Sequence, residues 1–281
     1  MNLFRATLSI VPLAFALGGC SLFAPSPGGP AGPTEIGACN PLPCIRASIG
    51  EVPALPTTLS PEFRASIDTQ VKQVLYAPVD SDQPQVTSEL LLTELKARYD
   101  EMTQPGVTDA PVDFEISRDA TVLFENADVI TIDVTSEGFL GGAHGFRERT
   151  LLVFDLKSGK RVTLAELVPA SSHGIFEKLV EAQFRRAREI PAGESLSDAG
   201  YFVKPGGAIP IPDNFGITPG GLLIQYNPYE VAPYAFGPTE IVVPLEAFQG
   251  IVSDSSKGLI SSLSAPARSG SPVAPEPSGR G

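Results

Sequence analysis

Residues 129–135 read Val-Ile-Thr-Ile-Asp-Val-Thr, and residues 149–156 read Arg-Thr-Leu-Leu-Val-Phe-Asp-Leu. The first stretch alternates apolar and polar side chains, the period of a strand with one face buried and one wet. The second is a short apolar run rich in β-formers, and Gly141-Gly142-Ala143-His144-Gly145 breaks the chain between them. Upstream, residues 114–117 and 121–126 read as two short strands separated by Arg118-Asp119. Downstream, Lys157-Ser158-Gly159-Lys160 reads as a turn leading into Arg161-Val162. Farther on, Phe215-Gly216-Ile217, a Pro219-Gly220-Gly221 turn and Leu222 to Tyr226 read as a hairpin, and residues 239–244 as a last strand.

Helical periods surround these strands. Ser60-Pro61-Glu62 opens a helix with a serine cap, proline at its first position and an acid near its positive end. Phe63, Ile67, Val71, Val74 and Leu75 follow on one face until Pro78. A second helix starts near Thr87 or Ser88, carries Leu91, Leu92, Leu95, Tyr99 and Met102, and ends before Pro105-Gly106. Thr163 with Glu166 is a capping-box match opening a short helical turn. A third long helix over residues 172–188 would bury Ile175, Phe176, Leu179, Val180 and Phe184. Helices followed by strands, without steady βαβ alternation, predict an α+β fold: antiparallel sheets with packed helices in two associated subdomains, residues 57–140 and 141–252.

The ends have a different composition. Residues 1–19 carry one cation, Arg5, an apolar centre and then Leu17-Gly18-Gly19 before Cys20. That order is an export signal, too short to remain as a spanning helix. A cysteine directly after Leu-Gly-Gly resembles the bacterial lipobox, whose thiol is acylated before the signal is cut; a plain secretory signal with an ordinary thiol is the other reading. Each buried methylene contributes about 0.8 kcal/mol, so several chains anchor firmly where one does not. The expected protein hangs from a membrane by lipidated Cys20, outside the cytoplasm, with Ser21 rather than Asp favouring the outer membrane facing the periplasm. Residues 20–56 read as a Pro/Gly-rich tether, in which Cys39 and Cys44 close a small disulfide loop in an oxidising envelope. Residues 253–281 read as a disordered tail. The formal charge is −12, and removal of Arg5 with the signal makes it −13. An acidic surface argues against nucleic acid and suits either a basic partner or simple solubility.

Two segments are candidates for binding. The glycines of Gly141, Gly142 and Gly145 admit unusual backbone and let a partner approach, with His144 able to donate or accept; a glycine turn with a backbone-bonded histidine is the bland version. Residues 226–238, YNPYEVAPYAFGP, gather Tyr226, Tyr229, Tyr234 and Phe236 with Glu230 among stiffening prolines. Rings held this way lose little entropy on binding a protein or stacking on sugar, and they serve equally to cap a sheet edge. A third feature, the cations Lys157, Lys160 and Arg161, grips an anion or is a solvated tip. No G-x-S-x-G, H-E-x-x-H or phosphate loop occurs, so no catalytic residue is assigned. A metal site would need His144 with Asp133 or Glu137, which their spacing does not demand, and no cofactor is expected.

Three strings in order, GGAHG (141–145), FDLKSGKRVTLAEL (154–167) and YNPYEVAPYAFGPTEIVVP (226–244), resemble the extracytoplasmic domain of RsiV-type anti-sigma factors, found also before the catalytic domain of PdaC-type peptidoglycan deacetylases. The resemblance covers residues 141–248, with a weaker companion over 57–140. It implies an α+β fold and, from the RsiV type, lysozyme binding. Neither a sigma-binding segment nor a deacetylase domain is evident, so only the ligand-binding part is expected to carry over, without catalytic residues. Together these readings predict an envelope lipoprotein that binds a wall-associated ligand, a lysozyme-like hydrolase or peptidoglycan itself. Cys20→Ala is expected to leave residues 1–19 attached and abolish labelling by palmitate, read by intact mass and gel. A mature amino terminus elsewhere than Cys20 would refute the lipid anchor.

Overall fold

The decisive feature is a sheet whose central strands are buried on both faces. The computed structural model describes residues 34–38, 45–79, 87–102, 104, 113–261 and 263. Cys20, Cys39, Cys44, the signal and most of the tail lie outside them; the start of the expected disordered tail is instead ordered, a helical turn at Asp254–Ser256 and a short helix at Lys257–Ser261 whose Ile260 is buried in the core. Six strands pair in chain order, β1 (Thr34–Ala38), β2 (Ile45–Ile49), β3 (Phe114–Glu125), β4 (Val129–Phe139), β5 (Phe146–Asp155) and β6 (Lys160–Arg161). All neighbours are antiparallel except β2 and β3, which run parallel because the chain crosses over through two helices between them. A second, antiparallel sheet holds β7 (Phe215–Thr218), β8 (Gly221–Tyr226) and β9 (Thr239–Pro244). The fold is α+β, as the element pattern predicts.

Each face of the large sheet has its own apolar core. Ile130, Ile132, Val134, Leu152 and Phe154 point towards α1 (Pro61–Leu75) and α2 (Ser88–Met102), where they meet Ile67, Val71, Leu75, Leu91 and Leu95. The alternate residues Val129 and Val153 join the opposite core with the second sheet and α4 (His173–Ala187), against Phe176, Val180, Phe184 and Ile217. Residues 129–132 and 151–154 are therefore buried without interruption. The alternation of 129–135 suggested a half-buried strand; Thr131 is instead buried, and its hydroxyl donates to the Ile217 carbonyl (2.7 Å) and accepts from the Ile217 N–H (3.1 Å). One polar atom on β4 thus stands in for a neighbouring strand along β7.

Three further readings are corrected. The segment 20–56 is not all tether: β1 and β2 belong to the sheet, and Ile45, Ala47 and Ile49 are buried at every second position. The strands expected at 114–117 and 121–126 are one strand, β3, with a bulge where the register shifts between Val122 and Phe124. The extra residue turns the strand over, so Ala120 faces the helices while Phe124, opposite Thr131, faces the second sheet. Ile175 is 56% exposed, because the apolar stripe of α4 is narrower than the sequence implied: Phe176, Val180 and Phe184 are buried and Leu179 packs half-buried beside them. The helix starts behave as read. The Ser60 hydroxyl accepts from the Phe63 N–H, and Thr163 and Glu166 form a reciprocal capping box at α3 (Leu164–Leu167).

The segments 57–140 and 141–252 share the large sheet, since β4 and β5 pair across the Gly141 turn. Among the described residues, no helix is long and apolar enough to cross a membrane. The end of α1 is closed by a buried cation: the Arg118 guanidinium donates to the carbonyls of Leu75 and Ala77 and to the Ser136 hydroxyl. Burial lowers its pKa to about 10, opposed by Glu94 and Glu148, so it stays charged at neutral pH. Arg118→Met is expected to leave those acceptors dry and destabilise the fold by about 2–4 kcal/mol, measured by urea denaturation; a change below about 0.5 kcal/mol would show that the cap is dispensable.

Candidate functional site: an aromatic shelf on the β4–β5 hairpin

The turn joining β4 to β5 needs two residues with left-handed backbone, and Gly141 (φ 81°) and Gly142 (φ 93°) supply them. The turn lifts His144 into solvent. Its Nδ1 lies 2.7 Å from the Gly145 carbonyl oxygen. A carbonyl only accepts, so Nδ1 carries the proton and Nε2 presents a lone pair in the neutral ring. The imidazole stacks on Tyr234 with centroids 3.6 Å apart and planes 18° from parallel. Tyr234 is locked from its other end, its hydroxyl donating to the same Gly145 carbonyl at 2.8 Å.

Tyr229 completes the surface. Its hydroxyl sits 3.4 Å from His144 Nε2, and its ring centroid is 5.7 Å from that of Tyr234. It is 59% exposed and has φ 70°, a conformation that costs a bulky side chain about 1 kcal/mol or more. A bracket of hydrogen bonds holds it there. The Glu230 N–H donates to the Asn227 carbonyl (3.2 Å), and the Asn227 N–H donates to the Glu230 carboxylate (2.8 Å). With Pro228 second and positive φ third, this is the pattern of a type II turn, in which glycine is the usual third residue.

Asn227 also fastens the turn to the sheet. Its side chain accepts from the Arg149 N–H (2.9 Å) and donates to the Arg149 carbonyl (3.1 Å). Asn214 does the same one step along, donating to the Arg149 carbonyl (2.7 Å) and accepting from the Leu151 N–H (2.9 Å). The Arg149 guanidinium reaches Asp133 (2.8 Å), Glu240 and Gln225, tying β4 and β5 to the second sheet. Burial pushes the Asp133 carboxyl up despite Arg149. Burial likewise raises Glu230, opposed by the Asn227 N–H and reinforced by Glu148.

Of the residues singled out from sequence, Gly141, Gly142, His144, Gly145, Tyr229, Glu230 and Tyr234 come together here. Tyr226 does not. It is 1% exposed, the last residue of β8, and its ring packs edge-on against Phe184 at 5.5 Å. Phe236 lies just beyond Tyr234, edge-on to Tyr201 (5.3 Å), with its carbonyl held by Arg188 (2.8 Å). The proposed metal partners are engaged elsewhere, Asp133 with Arg149 and Glu137 with Arg147. The tip at 157–161 is a turn leading into β6, and in it Lys157 pairs with Asp128 (2.6 Å). Sequence reasoning missed Asn227 and Arg149, which do the fastening, and Phe202, 46% exposed beside the loop, its N–H on the Val231 carbonyl. An Asn-Pro pair entering an aromatic segment was the available signal for Asn227.

Residues 168–246 match the family described as protein of unknown function (DUF3298). The fold is similar to that of a DUF3298 family member from Bacteroides fragilis, with a TM-score of 0.65 and 20% identity over 83% of this chain and 96% of that one. It is also similar to a DUF3298 family protein from Pseudomonas aeruginosa, with a TM-score of 0.52 and 17% identity over 80% and 96%. No curated protein matches the chain. Likeness at these identities establishes a shared fold.

Two tyrosines three residues apart should behave oppositely. Tyr226→Ala is expected to cost about 3–5 kcal/mol through the cavity it leaves. Tyr229→Gly, which removes an exposed ring and relieves its backbone, should fall within about 1 kcal/mol of wild type. Urea denaturation of both variants checks the pair, and equal losses would contradict the assignment.

Proposed function

We propose that this chain is a cell-envelope lipoprotein, held by lipidated Cys20 on the periplasmic side of the outer membrane, that binds a wall-associated protein without converting it. The favoured ligand is a basic, lysozyme-like hydrolase. The observation that carries the reading is the exposed His144–Tyr234–Tyr229 surface, fixed in place before any ligand arrives and including a tyrosine held in left-handed backbone. Strain maintained at an exposed ring is a signature of use rather than of packing. The formal charge of −12 supports a basic partner, because opposite charge raises the rate of encounter. RsiV-type and PdaC-type proteins carry domains of the DUF3298 family, which supports an extracytoplasmic role. No cofactor enters the proposal.

Immobilised lysozyme should retain the chain at about 0.05 M salt and release it by about 0.5 M, as the screening length shrinks. His144→Ala/Tyr229→Ala should pass through unretained. Undiminished retention of the double variant, or none of the wild type, would overturn the lysozyme reading. Salt-insensitive sedimentation with purified sacculi would point to peptidoglycan as the ligand instead.

A further inference from the structure

The side chains around the shelf have one chemical sense. Tyr229 and Tyr234 spend their hydroxyl protons on His144 Nε2 and the Gly145 carbonyl, which leaves oxygen lone pairs outward. His144 spends its Nδ1 proton on the same carbonyl. Glu230 follows Tyr229 directly, its carboxylate accepting from the Asn227 N–H. Among the described residues Glu230 forms no ion pair, whereas Glu137, Asp133 and Glu240 do, with Arg147 and Arg149. A flat exposed ring bordered by acceptors is therefore complementary to a group that is flat, cationic and donates only.

We infer that the shelf receives an arginine side chain of the partner, its guanidinium stacked on Tyr229 and donating to Glu230. This rests on the binding role proposed above and names the chemistry that the surface selects. Guanidinium has five donors in one plane and no acceptor, so it stacks through its face while its edge reaches the carboxylate. An ammonium is compact and strongly hydrated, and cannot satisfy ring and carboxylate in one plane. A sugar hydroxyl both donates and accepts, and half of that capacity would find no matching side chain here. The Arg149 bridge to Glu240 and Asp133 lies in the sheet and does not compete for the shelf.

The test compares two fluorescein-labelled peptides of equal charge, Gly-Arg-Gly-Arg-Gly and Gly-Lys-Gly-Lys-Gly, titrated with the full chain by anisotropy. The arginine peptide should bind at least about fivefold tighter, the scale of a partly desolvated cation–π contact. Tyr229→Leu should erase that preference, and Glu230→Gln should weaken the arginine peptide more than the lysine one. Equal binding of the peptides, or a preference that survives Tyr229→Leu, overturns the inference. Lysozyme retained without any arginine preference would sink this assignment alone. An arginine preference without lysozyme retention would sustain it and remove lysozyme as the partner.

Discussion

Buried backbone groups must be paired, and β5 meets that constraint in an unusual way. On the side away from β4 it has a strand neighbour only near its end, where Phe154 and Asp155 pair with β6. The Arg149 N–H and C=O and the Leu151 N–H are satisfied by the amides of Asn214 and Asn227. Asn214 enters β7 and Asn227 leaves β8, so the same bonds that complete β5 also position the second sheet. The turn that carries Tyr229 begins at Asn227. The location of the shelf is therefore a by-product of how β5 is completed, and the shelf inherits the stiffness of the sheet.

Thr131 works in the same way one strand over. A hydroxyl both donates and accepts, so it can replace a peptide unit opposite Ile217 where no strand is available. The bulge in β3 serves this packing too, because it moves Phe124 to the face that the second sheet covers. Charge is placed with equal economy: Arg118 closes α1 from inside the sheet, and Arg149 links three acceptors across two sheets.

What the sequence reveals is mostly local. Caps at Ser60 and Thr163, the β7–β8 hairpin and the apolar stripes of α1 and α2 are written in neighbouring residues and appear as read. What it conceals depends on partners distant in the chain. The Ile45-Arg46-Ala47-Ser48-Ile49 alternation was lost among prolines and glycines, and becomes a strand by pairing with β3 nearly seventy residues on. Tyr226 and Tyr229 look alike in an aromatic segment, yet one ends a strand facing Phe184 and the other sits at the exposed corner of a turn. The grouping of His144 with the tyrosine loop was legible as a pair of candidate segments. The stack between them required a fold that brings residues 144 and 234 within 3.6 Å.

The bonds at the open end of the β4–β5 hairpin have a kinetic meaning. Strand residues beside the turn are half-buried or exposed, and the turn is held by Tyr234 on the Gly145 carbonyl and by Asn227 clasping Arg149. For the partner proposed above this would be a finished landing place, with no loop left to order. Capture would then be governed by how often the two bodies collide in the right orientation, and the lifetime of the pair by the contacts made after touchdown.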